Sequence, residues 1–317
     1  MNKIEFGDCR EIMSRWKDEG VKVQTCITSP PYFGLRDYGV DGQIGLEQTV
    51  GEYVANMVDV FRHVWHILED DGTVWLNLGD SYYNYRPGKG QALNKQTVSN
   101  TNQDLPTNCA RRGNKQEGLK EKDLIGIPWR VAFALQDFGW TLRQDIIWHK
   151  PNPMPESVRD RCTKSHEYIF LLSKSPQYYF DYLAIKEPSV NPESYKGRRK
   201  RSAMTEQSEI IMDKFGATRS GFKNIEEGKT YPTRNKRDVW SVNVRPYKGA
   251  HFATYPTALI EPCILAGSRK NDIVFDPFMG SGTTAQVALQ HGRQYLGCEL
   301  NKEYEKLQEE RINHGQG

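Results

Sequence analysis

The residues best suited to do chemistry form a short turn near the start of the chain. Residues 28–32 read Thr-Ser-Pro-Pro-Tyr and follow an apolar, β-branched run that predicts a buried strand. Two prolines must end that strand, because proline cannot donate to a ladder of hydrogen bonds. Ser29 then offers a hydroxyl, and the carbonyl of Pro30 offers an acceptor in a turn that Pro31 makes rigid. Tyr32 adds an aromatic face.

The exocyclic amine of a nucleic-acid base is a substrate that such a turn would fit. Its nitrogen is a weak nucleophile because the lone pair is delocalised into the ring, so a site should accept hydrogen bonds from both N–H groups. Ser29 and the Pro30 carbonyl would be the acceptors, and Tyr32 would stack on a base swung out of the duplex. An isolated tetrapeptide of this kind is more often a structural turn, so its meaning depends on a second motif.

A glycine loop near the other end of the chain is that second motif. Residues 276–284 read Asp-Pro-Phe-Met-Gly-Ser-Gly-Thr-Thr and lie between a predicted strand and a predicted helix. Glycines at such a junction let backbone amides approach a ligand at the helix N-terminus. Glu299 follows at the end of the next predicted strand, 19 residues after Gly280. An acidic side chain there can bind both hydroxyls of an adenosine ribose.

The composition of the loop indicates which adenosine ligand it would bind. The loop lacks the lysine of a triphosphate-binding loop and the third glycine of a pyrophosphate-binding loop. An adenosine cofactor without a diphosphate is S-adenosylmethionine, and Asp276 with the loop amides would face its methionine end. Two alternatives stay open. One is a structural turn with an exposed Glu299, and the other is an NAD-type oxidoreductase, which the incomplete glycine pattern disfavours.

The order of the motifs resembles the β class of amino-methyltransferases that act on DNA. In that class the catalytic half precedes the cofactor half, and a polar basic segment lies between them. The resemblance covers most of this chain. The resemblance implies S-adenosylmethionine as cofactor and double-stranded DNA as substrate. Serine at the first position of Ser-Pro-Pro-Tyr is similar to the subset that methylates cytosine N4. Methylation of adenine N6 is the first alternative, since a hydroxyl accepts a hydrogen bond from either amine. The second alternative is a nucleic-acid-binding protein of the same fold that lacks catalytic activity.

Individual residues carry this resemblance. Gly7-Asp8 resembles an acidic element that contacts the cofactor adenine, and residues 252–256 resemble an element that covers its methionine end. Residues 77–81, 148–152 and 166–168 are also similar to segments of such enzymes. The predicted catalytic residues are Ser29, Pro30, Pro31 and Tyr32. The predicted cofactor-binding residues are Asp8, Thr28, Phe252, Tyr255, Asp276, Pro277, Phe278, Gly280, Ser281, Gly282, Thr283, Thr284 and Glu299. The predicted DNA-binding residues are Lys150, Arg198, Arg199, Lys200 and Arg201, and no metal ligand is predicted.

Alternating strand and helix patterns position these motifs. Strands are predicted at residues 22–28, 73–78, 142–148, 272–275 and 294–300. Helices are predicted at residues 50–68, 128–138, 283–290 and 303–313, with one more through Ala258, Leu259, Cys263 and Ile264. Residues 168–172 and 178–185 are expected to pair as a β-hairpin. The expected fold is α/β, with a doubly wound Rossmann-like methyltransferase sheet. That sheet should be mostly parallel with one antiparallel strand, in circularly permuted motif order with an inserted target-recognition region.

Charge is distributed unevenly along the chain. Residues 85–122 carry a net charge of +5 and residues 186–237 carry +6, whereas the whole chain carries only +3. Basic, polar segments on an acidic body are typical of proteins that bind a polyanion, although solvated insertions are an alternative. The predicted divisions are residues 1–83 and 123–185 for the catalytic half, 84–122 for a mobile basic insertion, 186–245 for target recognition and 246–317 for the cofactor-binding half.

Composition excludes several other classes of protein. The 317 residues include six cysteines without a Cys-x-x-Cys pair, so neither a disulfide framework nor a zinc site is expected. The N-terminus lacks the apolar core of a signal peptide, and no apolar run approaches the roughly 18 residues of a membrane span. A cytoplasmic protein without a membrane partner is therefore expected. The family resemblance allows a homodimer and a cognate restriction endonuclease as a genetic partner, without requiring either.

Overall fold

The computed structural model describes residues 1–83, 118–190, 231–244 and 255–314. The chain divides into a larger unit, Met1–Ala184 with Arg237–Gly317, and a smaller unit, Ile185–Lys236. The strands are β1 Asn2–Phe6, β2 Val23–Thr28, β3 Leu68–Leu78, β4 Thr141–His149, β5 His166–Ser173, β6 Glu187–Pro188, β7 Thr233–Arg234, β8 Val239–Ser241, β9 Ile273–Asp276 and β10 Gln294–Glu299. The α-helices are α1 Cys9–Asp18, α2 Val50–Ile67, α3 Ile127–Phe138, α4 Thr257–Gly267, α5 Thr283–Gln290 and α6 Glu305–His314.

A single sheet of eight strands organises the described part of the larger unit. Its order is β1-β10-β9-β2-β3-β5-β4-β8. Strand β5 runs antiparallel to both of its neighbours, and every other pair in the sheet is parallel. The predicted α/β fold, mostly parallel with one antiparallel strand, is therefore confirmed. Strands β2 and β9 are neighbours although they lie at opposite ends of the chain, as the permuted motif order requires.

Local sequence explains why the central elements form. All six residues of β2 are buried, as expected for a parallel strand covered on both faces. Helix α2 buries a stripe of apolar side chains at helical spacing. Its N-terminus is closed by a capping box in which the Thr49 hydroxyl accepts from the amide of Glu52 at 3.1 Å and the Glu52 carboxylate accepts from the amide of Thr49 at 3.0 Å.

The predicted β-hairpin at residues 168–185 is wrong. Strand β5 pairs on one edge with β3 and on the other with β4, so no edge remains for residues 178–185. That segment instead packs over the sheet, where the ring of Phe180 stacks on Trp75 with centroids 6.1 Å apart. The amide of Asp181 donates to the carbonyl of Ala266 at 2.9 Å.

Five further elements are not predicted from the sequence. Strand β1 and helix α1 precede the first predicted strand, and β6, β7 and β8 lie in the polar segment that is predicted to recognise the target. Strand β8 pairs in parallel with β4, and it belongs to the larger unit. The described residues of the smaller unit form a two-stranded antiparallel ribbon, β6 with β7, in which the Arg234 guanidinium contacts the Glu187 carboxylate at 2.8 Å. Within the described ranges, no helix has the length and apolar character needed to cross a membrane.

Candidate active site

The two predicted motifs meet at the carboxyl ends of the neighbouring strands β2 and β9. The hydroxyl of Thr28 donates to the Asp276 carboxylate at 2.6 Å, although the two residues are 248 positions apart. Ligands of open α/β sheets bind at this edge, outside the carboxyl ends of the strands. The sheet therefore brings the Ser-Pro-Pro-Tyr turn and the glycine loop to one place.

Asp276 anchors the glycine loop from beneath. It is fully buried, and one carboxylate oxygen accepts from the Thr28 hydroxyl and from the amide of Phe278 at 3.0 Å. The other oxygen accepts from the hydroxyls of Thr284 at 2.6 Å and Tyr255 at 2.8 Å. Burial raises the pKa of Asp276, and these hydrogen bonds oppose that rise. Four donors already occupy the carboxylate, so the expected contact of Asp276 with a methionine end does not match this geometry.

A cavity opens above this anchor, between the glycine loop, the ends of β1, β2 and β10, and residues 38–44. Ten of the seventeen predicted catalytic and cofactor-binding residues line it. They are Asp8, Ser29, Pro31, Tyr255, Pro277, Phe278, Gly280, Ser281, Thr283 and Glu299. The predicted residues Thr28, Pro30, Asp276, Gly282 and Thr284 are buried behind this lining.

The glycine loop is held in a conformation that needs its glycines. Gly280 has φ +53° and Gly282 has φ +85°, in the left-handed region that residues with a Cβ rarely adopt. Gly282 is the N-terminal cap of α5. The amide of Gly280 donates to the Glu299 carboxylate at 2.8 Å, which joins the loop to the end of β10.

Glu299 presents a buried carboxylate to the cavity. One oxygen accepts from the amide of Gly280 and the other from the amide of Asn301, each at 2.8 Å. Its side chain is largely buried, and this burial raises the pKa of Glu299. Each carboxylate oxygen has about two acceptor positions, so one on each oxygen remains for a ligand hydroxyl. These two acceptor oxygens fit the two hydroxyls of an adenosine ribose.

Asp8 forms a second acidic wall of the cavity. Its carboxylate caps α1 by accepting from the amide of Arg10 at 2.8 Å, and it also pairs with the Arg10 guanidinium at 2.5 Å. The hydrogen bond from the Arg10 side chain lowers the pKa of Asp8 despite partial burial. The amide of Gly7 donates to the carbonyl of Glu299 at 2.8 Å, which fixes the end of β1 beside β10.

The Ser-Pro-Pro-Tyr turn is held from two sides. The carbonyl of Pro31 accepts from the hydroxyl of the fully buried Tyr53 at 2.9 Å. The hydroxyl of Tyr32 points inward and lies 2.8 Å from a Glu167 carboxylate oxygen and 3.2 Å from the amide oxygen of Asn77. Burial raises the pKa of Tyr32 well above its ordinary value, so this hydroxyl stays protonated. Ser29 keeps its place on the cavity wall.

Lys150 differs from its predicted role as a DNA contact. Its ammonium group pairs with the Glu167 carboxylate and lies 4.2 Å from the centre of the Trp148 ring. Only 18 % of its side chain is exposed. Lys150 is therefore engaged beside the turn, because its ammonium group has both a carboxylate and an aromatic ring as partners.

The remaining predicted residues lie outside the described part of the chain. They are Phe252, Arg198, Arg199, Lys200 and Arg201. Within the described ranges, no group of three or more His, Cys, Asp or Glu side chains is arranged to hold a metal ion.

Several residues of the site had no role assigned from the sequence. Asn77 and Glu167 lie in segments that resembled the family, yet only the structure shows that they contact Tyr32. Arg10 follows Asp8 by two positions at a helix start, a spacing that could have indicated the ion pair. Nothing in the local sequence indicates that Tyr53 supports Pro31, because that contact depends on how α2 packs.

Known proteins are similar to this chain in sequence and in fold. A family model described as DNA methylase matches residues 23–310. The type II methyltransferase M.SmaI of Serratia marcescens is 46% identical over 98% of this chain and 90% of its own length. The type II methyltransferase M.Cfr9I of Citrobacter freundii is 44% identical over 94% of this chain and 83% of its own length.

Solved structures agree with the fold. The cytosine-N4-specific PvuII DNA methyltransferase has a TM-score of 0.60 at 17% identity, over 98% of this chain and 86% of that chain. A putative DNA modification methylase from Thermus thermophilus, complexed with S-adenosyl-L-methionine, has a TM-score of 0.57 at 19% identity, over 99% of this chain and 94% of that chain. The chain thus belongs to the DNA methylase family, and its predicted membership in the β class of DNA amino-methyltransferases is confirmed.

Proposed function

We propose that this DNA methylase is a site-specific type II enzyme that methylates the N4 amine of a cytosine flipped out of double-stranded DNA. S-adenosylmethionine is the methyl donor. The observation that carries the proposal is the position of Ser29, which lines the same cavity as the glycine loop and Glu299. The hydroxyl that would accept from the base and the carboxylate that would bind the nucleoside therefore lie in one cavity.

The residues of this chain would hold the cofactor at three places. Glu299 would accept from the ribose hydroxyls, Asp8 would contact the adenine, and the loop from Pro277 to Gly280 would face the remainder. Asp276 keeps that loop in position through its four hydrogen bonds. When bound, S-adenosylmethionine would supply a methyl group attached to a sulfonium sulfur. That sulfur is a leaving group that even a weak nitrogen nucleophile can displace.

The turn binds and orients the target base. The Ser29 hydroxyl and the Pro30 carbonyl accept hydrogen bonds from the amine and so favour positive charge on its nitrogen. The buried Pro30 lies between two residues of the cavity wall, Ser29 and Pro31. Fixing an acceptor group within reach of the amine lowers the barrier mainly by orientation and electrostatics.

Double-stranded DNA is the proposed partner. Residues 84–122 and 186–245 would contact it, since they hold the basic excess of the chain. Their assignment as insertion and target-recognition region stays a prediction, as do a homodimer and a cognate restriction endonuclease.

The test of this function is methyl transfer with identification of the modified base. The protein is incubated with duplex DNA and labelled S-adenosylmethionine, and the digested nucleosides are analysed by mass spectrometry. We expect labelled N4-methylcytosine. Labelled N6-methyladenine would overturn the choice of base, and DNA without label would overturn the activity.

Two serine variants sharpen this test. Ser29→Ala removes the proposed acceptor and should lower methyl transfer while leaving cofactor affinity unchanged. Ser14→Ala is the matched control, because Ser14 lies on the exposed side of α1 and does not line the cavity. A Ser29→Ala variant that matched the control in turnover would count against the role of Ser29.

A further inference from the structure

A line of hydrogen bonds leads from the cavity wall into the interior. The Ser29 hydroxyl lies 3.3 Å from the Tyr32 hydroxyl, and the Tyr32 hydroxyl lies 2.8 Å from the Glu167 carboxylate. The second Glu167 oxygen pairs with the Lys150 ammonium group. Only the first member of this line, Ser29, lines the cavity.

The direction of the donors along this line follows from chemistry. A carboxylate paired with an ammonium group is ionised and can only accept hydrogen bonds. Tyr32 has one proton, and its shortest contact is with Glu167 at 2.8 Å, a charge-assisted bond, against 3.2 Å for Asn77. Once that proton is committed, the Tyr32 oxygen can only accept from Ser29.

Asn77 fits the same direction. Its amide nitrogen donates to the carbonyl of Tyr168 at 3.0 Å and contacts Glu167 at 3.3 Å. The amide oxygen of Asn77 therefore faces Tyr32 and offers that hydroxyl no donor. Burial and the nearby charge of Glu167 raise the pKa of Tyr32, which keeps the proton on the tyrosine.

We infer that Glu167 and Tyr32 are positioning residues. They direct the hydroxyl proton of Ser29 away from the cavity, so that the lone pairs of the Ser29 hydroxyl face the target base. The inference rests on the proposed role of Ser29 as acceptor for the base amine. A serine hydroxyl can donate or accept, and this line fixes it as an acceptor. The site then favours an amine and rejects a base with a carbonyl at the same position, such as uracil.

The fold holds the members of this line in place. Glu167 lies on β5, which is hydrogen-bonded on both edges, and its partner in the register with β4 is Trp148. The loop after β3 leaves room for the tyrosine ring, since a Cβ on Gly79 would lie 2.6 Å from the nearest Tyr32 ring carbon. Rigid strands rather than loops therefore carry the acceptors beneath the turn.

The first test is a double-mutant cycle on single-turnover methyl transfer. Tyr32→Phe and Glu167→Gln should each lower the rate by about tenfold to a hundredfold, the effect typical of losing an outer partner that orients a metal ligand. In a Ser29→Ala background, Tyr32→Phe should have no further effect, because it acts through that serine. Cofactor affinity should be unchanged in all variants. Tyr178→Phe and Glu156→Gln are controls that remove a hydroxyl and a carboxylate away from the cavity.

The second readout is discrimination between bases. Unmethylated duplexes that contain the site recognised by the enzyme are prepared with cytosine or uracil as the target base. The affinity of each protein variant for the two duplexes is then compared. Freeing the Ser29 proton in Tyr32→Phe or Glu167→Gln should narrow the preference for cytosine several-fold, an effect that general loosening of the site does not predict. This readout decides the matter through Glu167→Gln if Tyr32→Phe does not fold.

Two outcomes would overturn the inference. One is an unchanged rate and base preference in both variants, and the other is an equal loss from Tyr32→Phe with and without Ser29. Failure of the proposed function looks different, because the unmodified protein would then yield no labelled N4-methylcytosine before any variant is compared.

Discussion

Glu299 shows how one buried carboxylate can be prepared for a ligand. Backbone amides of Gly280 and Asn301 occupy one position on each oxygen, and burial raises the pKa of the group. A buried carboxylate with unfilled acceptor positions gains from any hydroxyl donors that reach it. Its place at the end of β10 was predictable from spacing alone, because an acidic residue that ends the next strand faces the same cavity as the glycine loop.

Replacing Glu299 should weaken cofactor binding. We expect Glu299→Ala to cost about 1.5–3 kcal/mol of binding free energy, the usual value for hydrogen bonds to a charged group. Because the pKa of Glu299 is raised above its ordinary value, its ionised form should be lost as pH falls through that raised pKa, and cofactor affinity should fall with it. Glu299→Gln should remove this pH dependence. Calorimetric titration with S-adenosylmethionine at several pH values measures both effects.

The control for this prediction is Glu303→Ala. Glu303 is exposed and does not line the cavity, so its loss should leave the affinity and its pH profile intact. A Glu299→Ala variant with normal affinity would contradict the assignment of this residue to the ribose.

Other single residues show what a sequence cannot reveal. Asp276 belongs to a clear motif, but the motif does not indicate that four hydrogen-bond donors of the chain already contact its carboxylate. Lys150 lies in a basic, proline-rich stretch that suggests exposure, whereas its charge is paired with Glu167. In both cases the role depends partly on side chains more than ten positions away, Thr28 and Tyr255 for Asp276 and Glu167 for Lys150, which periodicity does not detect.

At the scale of elements, apolar periodicity predicted which segments form strands and helices better than how they pair. The stretches at residues 168–172 and 178–185 flank a Lys-Ser-Pro sequence and therefore suggest a hairpin. Burial of β5 between β3 and β4 satisfies both of its edges and leaves the second stretch unpaired. Strand β1 was missed because none of its residues is fully buried, so its sequence carries a weak apolar pattern.

The loop after β3 is an element whose close packing can be tested. A Cβ on Gly79 would lie 2.6 Å and 3.1 Å from two ring carbons of Tyr32 and 3.3 Å from the Glu167 carboxyl carbon. Gly79→Ala should therefore push the Tyr32 ring from its place, at a cost of about 1–3 kcal/mol in unfolding free energy as for other overpacked sites. Methyl transfer should fall as well, since the ring is displaced from Glu167. Chemical denaturation and single-turnover rates measure the two effects.

Gly51→Ala is the matched control for this substitution. Gly51 lies exposed in the first turn of α2, where the nearest atom to an added Cβ is 3.9 Å away. Alanine there should be neutral or slightly stabilising, because it favours a helix more than glycine does. If Gly79→Ala behaved like Gly51→Ala in both measurements, the turn would have more freedom than its contacts indicate.

At the scale of the whole molecule, charge separates the two proposed tasks. The segments at residues 85–122 and 186–237 together outweigh the net charge of the chain, so the remainder is acidic. The cavity belongs to the larger unit, and Ile185–Lys236 form a unit of their own. The assignment of residues 186–245 to target recognition stays a prediction, and strand β8, Val239–Ser241, within that range joins the sheet of the larger unit.

The four consecutive basic residues at 198–201 provide a test of the proposed DNA contact. Replacing Arg198, Arg199, Lys200 and Arg201 by glutamine should flatten the dependence of DNA affinity on salt. Each lost phosphate contact removes about 0.9 from the slope of log K against log salt concentration. Four adjacent residues cannot all face one groove, so a reduction of about two is expected from this rule. Cofactor affinity should not change, because the cavity lies in the larger unit.

A control that neutralises Lys17, Lys270, Lys302 and Lys306 removes the same charge from exposed positions of that unit. An equal slope in both variants would mean that net charge, and not residues 198–201, sets the affinity for DNA.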